Sequence, residues 1–212
     1  IGVLLDNVDP GTRGGQPVGV TVRGNTITNF NFTGIAGTNG TNTTKQTTTL
    51  GIDFQGGIAN NVVTGTAPGV TTTQQNGISF SGGSFGDITT NTIKSIASFN
   101  ANAASNAAGI VVGEFFGQAS GGLITINGNT VTNAQVGVLV TGRDGVAMTK
   151  VQGNTVTASR RMGIAVENSV NVMVTGGNLV DGTAGTGVAV YYTTGNATTA
   201  IPDILPQGVT VS

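Results

Sequence analysis

Asn129-Thr130-Val131 leads to Gly137-Val138-Leu139-Val140, and Asn154-Thr155-Val156 leads to Gly163-Ile164-Ala165-Val166. The same pair returns as Asn178-Leu179-Val180 and Gly187-Val188-Ala189-Val190, so the separation between the two units is nearly constant: 129 to 137, 154 to 163, 178 to 187. A sequence that repeats itself at a fixed interval is read first as a repeat architecture.

Upstream, the Asn unit occurs as Asn25-Thr26-Ile27, Asn61-Val62-Val63 and Asn91-Thr92-Ile93. The Gly unit occurs as Gly51-Ile52-Asp53-Phe54, Gly77-Ile78-Ser79-Phe80 and Gly109-Ile110-Val111-Val112, and consecutive glycines then differ by 26, 32, 28, 26 and 24. Before most Asn units stands a further alternating segment, as in Val20-Thr21-Val22, Leu123-Ile124-Thr125-Ile126 and Val172-Met173-Val174. Each period therefore holds three short strands and three corners. Strands this short bury little alone, but stacked coils give every strand a parallel partner above and below at roughly 4.8 Å.

The expected fold is all-β: a right-handed, single-stranded parallel β-helix of about seven three-strand coils, each about 25 residues long, forming one domain over residues 1–212. An antiparallel sandwich also has short strands and frequent turns, but hairpins need no such fixed period. The Val and Ile positions are expected to form internal ladders. Asn25, Asn61, Asn91, Asn129, Asn154 and Asn178 are expected to stack their side-chain amides at one corner, and the recurring Gly to supply the unusual φ of the corners.

Composition agrees. Charged residues are 8% of the 212, against about 25% in an ordinary domain, and 36 are Gly. A net charge of −1 with no basic cluster offers nothing to neutralise phosphates, so nucleic acid is not an expected partner. Apolar runs are far shorter than the ~20 residues of a membrane span, so no membrane insertion is expected. The absence of His and Cys excludes serine triads with His, thiolate metal sites and His-based zinc sites.

The Gly-Ile/Val-x-Val and Gly-Asn-Thr-Val units resemble the repeats of the pectate-lyase-like right-handed β-helix superfamily over roughly residues 17 to 192. The resemblance implies the fold. It spans several functions, because that superfamily includes polysaccharide lyases, glycoside hydrolases, tailspikes, adhesins and ice-binding proteins.

Long loops are expected at about 36–50, 65–75 and 95–108, leaving from one corner. Asn31, Asn39, Asn42 and Asn196 begin sequons and are candidate glycosylation sites. Gly2-Val3-Leu4-Leu5 and Gly208-Val209-Thr210-Val211 read as uncapped strands, which points to a segment of a longer chain or to end-to-end contact with another copy.

For catalysis, Glu114, Asp144 and Glu167 are the candidate carboxylates, lying at offsets 5, 7 and 4 from the Gly that opens each coil. Arg143, Arg160 and Arg161, with Lys150 nearby, would bind an acidic sugar, and Tyr191, Tyr192, Phe115 and Phe116 are candidate aromatic platforms, while Phe54 and Phe80 are expected in the core. No cofactor is implied; calcium on Asn and carbonyl oxygens is compatible but carries no motif. Ice binding would need a regular Thr-x-Thr ladder at coil spacing. The runs Thr47-Thr48-Thr49 and Thr71-Thr72-Thr73 fall in loops instead, so no such ladder is expected.

The expected function is a noncatalytic extracellular or cell-surface module, structural or adhesive, contacting itself end to end or its neighbouring domains. The alternative is a β-helix acting on a polysaccharide.

Overall fold

The computed structural model describes residues 1–6, 12–13, 16–17, 21–38, 57–66, 74–81, 86–96, 107–113, 123–142, 148–192 and 206–212. It is a right-handed parallel β-helix with three parallel sheets. The first sheet stacks β1 (Val3–Asp6), β6 (Thr33–Thr38), β9 (Asn76–Ser81), β12 (Ala108–Gly113), β15 (Val136–Thr141), β18 (Met162–Glu167) and β21 (Thr186–Tyr191) in that order. The second stacks β4 (Thr21–Arg23), β7 (Gly57–Ala59), β10 (Gly86–Thr89), β13 (Ile124–Asn127), β16 (Thr149–Gln152), β19 (Val172–Thr175) and β22 (Thr210–Val211). The third stacks β5 (Thr26–Thr28), β8 (Val62–Thr64), β11 (Thr92–Lys94), β14 (Thr130–Thr132), β17 (Thr155–Thr157) and β20 (Leu179–Asp181). Apart from these, β2 (Thr12–Arg13) and β3 (Gln16–Pro17) form a small antiparallel pair.

The in-register pairings stack the inward-facing aliphatic side chains on one another. Ile78, Ile110, Val138 and Ile164 form one internal column from the first sheet, and Ile88, Ile126 and Val151 form another from the second. All of these are fully buried. Each such side chain contributes roughly 1.5–3 kcal/mol of burial, which is why an alternating pattern of only three or four residues suffices once coils stack. Phe80 sits in the same core, 1% exposed, as expected.

Three sequence expectations need correction. The first-sheet rung beside Gly77 is Gly34-Ile35, since β6 pairs directly with β9; the Gly51 unit lies outside the described residues.

The Gly column, moreover, is not a set of corner residues with unusual φ. Gly34, Gly77, Gly109, Gly137 and Gly163 have no positive φ. At Gly137 the reason is space: a Cβ would lie 2.2 Å from Val156 Cγ1 and 2.5 Å from the Gly163 carbonyl oxygen. The left-handed corner belongs to the residue just before each ladder Asn, with φ of 69° at Gly24, 55° at Asn60, 53° at Thr90, 63° at Gly128, 61° at Gly153 and 77° at Gly177.

The third correction concerns threonine. The third sheet carries a Thr-x-Thr ladder on its outward face, at Thr26 and Thr28, Thr130 and Thr132, Thr155 and Thr157, with Thr64 and Thr92 in the same columns. It was not expected from the sequence because its threonines flank the buried residue of the Asn unit instead of forming runs.

The Asn ladder is present throughout. Asn61, Asn91, Asn129 and Asn154 are buried, and each passes its backbone N–H and its side-chain Nδ2 to the Oδ1 of the Asn one coil above at 3.0 Å. Asn25 enters the ladder from below through Asn61, and Asn178 ends it above Asn154.

Candidate functional site

The three faces of the solenoid differ outside. On the first sheet β12, β15 and β18 are buried at every position, and their outward residues form a second apolar cluster of Ala108, Val111, Val136, Leu139, Met162 and Ala165. Where this cluster reaches β21 it opens into a depression of about 450 Å³, lined by Arg160, Arg161, Met162, Thr186 and Tyr191 among others.

Local register explains the grouping. Met162 pairs with Thr186, and Glu167 pairs with Tyr191, so one rung's outward side chains lie directly over those of the next. Arg160 and Arg161 enter β18 from the corner, held by backbone bonds from their N–H groups to the carbonyls of Ala134 and Gln135. The structure thus brings Arg160, Arg161 and Tyr191 together. Tyr192, 39% exposed, does not line the depression.

Glu167 lies beneath it, 3% exposed, and its Oε2 accepts from the Thr141 hydroxyl at 3.2 Å. Its column runs Gly113, Thr141, Glu167, Tyr191, so its neighbours one rung away are a hydroxyl and a phenol, with no second carboxylate. Glu114, Asp144 and Arg143 lie outside the described residues, as do Phe54, Phe115, Phe116, Asn39, Asn42 and Asn196. Asn31 is exposed, and Lys150 projects from the second sheet, away from the two arginines.

Electrostatically the site is a donor surface. Burial pushes the Tyr191 hydroxyl up to about 12, the Glu167 charge adds to the rise, and the Arg161 charge opposes it. The phenol therefore stays neutral at ordinary pH, and its oxygen is buried without a hydrogen-bond partner. Two arginines line the depression, which suits an anionic ligand. Among the described residues no group of three His, Cys, Asp or Glu side chains is placed to hold a metal.

No protein-family model, no curated protein and no solved structure matches the chain. Its parallel β-helix architecture stands on the coordinates alone.

The sequence pointed to Arg160, Arg161 and Tyr191 but missed Met162 and Thr186. Their signal was available: each lies one residue before its coil's Gly, at 162 before 163 and 186 before 187.

Proposed function

We propose that the chain is a noncatalytic structural or adhesive module of an extracellular or cell-surface protein, of the pectate-lyase-like β-helix type, working as a stiff spacer that is extended by stacking. One observation carries this reading. In the internal columns of the first sheet Ile164 and Val166 are fully buried, whereas Val188 and Val190 one rung further are 37% and 44% exposed. Among the described residues that rung presents an apolar surface and a strand edge without a partner, the combination that accepts another strand, from a further coil or from another copy. The opposite rung presents the internal-column residues Val3 and Leu5, both only partly buried. Two unlike ends give a head-to-tail contact, which propagates instead of closing.

Light scattering and negative-stain microscopy across a concentration series test this. The expected result is concentration-dependent end-to-end assembly that Val190→Lys abolishes while the monomer stays folded. A strict monomer at high concentration overturns stacking through these rungs.

The depression at Arg160, Arg161 and Tyr191 favours a second reading, a module that binds or acts on an acidic polysaccharide. A glycan array followed by a polysaccharide-degradation screen separates the two readings. Under the second, retention of uronate-bearing glycans falls in Arg160→Ala, and degradation, if seen, falls when Glu114, Asp144 or Glu167 is replaced.

A further inference from the structure

The outward face of the third sheet is a two-column lattice. One column contains Thr92, Thr130 and Thr155 in direct register, the other Thr132 and Thr157 continuing from Thr64 through Lys94. Thr26 and Thr28 begin the two columns at the opposite end. None of these positions is buried: Thr26, Thr28, Thr92 and Thr130 are exposed, and Thr64, Thr132, Thr155 and Thr157 are partly exposed.

Strand propensity alone does not explain the choice. Thr favours strands wherever they occur, and the second sheet also carries outward Thr21, Thr89, Thr125 and Thr175, but there they are separated by Asp87, Asn127, Lys150, Gln152 and Met173, so that no two stand in register on adjacent rungs. On the third sheet the corresponding row is almost uncharged, interrupted only at Lys94 and Asp181 among ionisable residues.

The face is also held rigid. Each of its strands starts immediately after a ladder Asn, and the first N–H of the strand donates to the carbonyl of the Asn one coil below at 2.8 Å, as Thr130 does to Asn91 and Thr155 to Asn129. β-Branching restricts χ1, so hydroxyls and methyls are ordered before any contact is made. The Thr132 and Thr157 hydroxyls lie 3.0 Å apart along their column. Binding a solid then carries little ordering cost.

We propose that this face binds ice. Parallel rungs repeat at roughly 4.8 Å, and alternate residues along a strand at roughly 6.6 Å. Water oxygens repeat on that same scale in both directions along the planes of hexagonal ice. Each threonine supplies a hydroxyl that joins the water network and a methyl that orders water around it. A crystalline polysaccharide would be met by flat aromatic rings, and this face has none among Thr, Val, Lys, Leu and Asp.

The test uses the whole chain, with thermal hysteresis and partition into slowly growing ice as readouts and circular dichroism to verify folding. The chain is expected to enter the ice and to hold crystals unchanged below the melting point. Thr130→Tyr with Thr155→Tyr should abolish both effects, Thr125→Tyr on the second sheet should leave them intact, and Lys94→Thr should enlarge the hysteresis by filling a gap in the lattice. Exclusion of the unaltered chain from ice overturns the proposal. So does retention of activity in the folded double variant, or retention on crystalline cellulose or chitin without entry into ice. Should the tyrosine pair fail to fold, the Lys94→Thr comparison decides: no gain in hysteresis overturns it.

Discussion

The side-chain oxygen of Asn154 accepts from both nitrogens of Asn129, backbone and side chain, at 3.0 Å each. Asn129 in turn serves Asn91 in the same way and also donates to the Ile88 carbonyl at 2.8 Å. Replacing Asn129 with Ala therefore strands the two Asn91 donors in a site with no water access and leaves the Ile88 carbonyl without its side-chain donor. Each buried unmet group costs about 1–3 kcal/mol, so Asn129→Ala should lower stability by on the order of 3 kcal/mol. Asn25 is exposed at the end of the ladder, and Asn25→Ala should cost below about 1 kcal/mol because water replaces the lost partner. Urea denaturation of the two variants measures the difference; equal losses would show that the ladder does not act through burial.

The Gly column makes a steric prediction. Gly137→Ala must force its Cβ against Val156 and the Gly163 carbonyl, whereas at Gly187 the nearest atom to a new Cβ is Val180 Cγ1 at 3.9 Å. Overpacking of this kind costs roughly 1–3 kcal/mol. Gly187→Ala should be neutral or slightly stabilising, since the unfolded chain loses freedom and nothing is crowded. Thermal melts of both variants check the contrast, and a tolerated Gly137→Ala would mean that neighbouring coils yield more readily than a packed core does.

How far the sequence alone reveals such features depends on what each residue answers to. The Asn ladder was legible because one residue type meets one demand, a buried corner that needs two donors and an acceptor at the same place in every coil. The Gly unit was legible as a marker, yet its cause was not: close approach of Val156 is a contact between sheets, and nothing in the order of residues around Gly137 reports it. Gly34 was hidden by the long separation from Gly77, which made Gly51 the nearer match in spacing. The threonine lattice was hidden differently, because Thr130 and Thr132 are separated by the buried Val131 and become neighbours of Thr155 and Thr157 only after the coils stack. At the depression, Tyr191 and Glu167 share the same offset from Gly187 and Gly163, so their contact was readable from the period.

Thr90 is the one β-branched residue among the left-handed corners, where the equivalent positions are Gly24, Asn60, Gly128, Gly153 and Gly177. A non-glycine residue in that region costs roughly 1–2 kcal/mol, and Asn less than most because its side chain bonds locally. Thr90 is exposed and its hydroxyl donates to Asn60 Oδ1 at 2.7 Å, a solvated bond of small net value. Thr90→Asn should accordingly raise stability by up to about 1 kcal/mol. The reciprocal change, Gly128→Thr, should lower it, since the new Cβ finds only Thr90 Cγ2 at 3.5 Å and the loss comes from φ alone. Chemical denaturation of the pair gives the sign of each; stabilisation by Gly128→Thr would contradict the assignment of strain.

Tyr191 links the depression to pH. Its hydroxyl is raised from 10.0 to about 12, first by burial, then by the charge of Glu167, with Arg161 opposing. A raised pKa means that the folded chain holds the proton more tightly than the unfolded chain. The associated stability is complete below pH 10 and is lost as pH rises from 10 towards 12. Tyr191→Phe, which removes an oxygen that has no partner, should be nearly neutral at pH 7 and should flatten the decline above pH 10. Glu167→Gln should lower the Tyr191 midpoint while leaving it above 10, because burial is the larger cause and remains. Tyrosinate absorbance in a Tyr192→Phe background isolates the titration. A midpoint unmoved by Glu167→Gln would mean that the carboxylate and the phenol do not interact across their two rungs, and that burial alone keeps Tyr191 neutral.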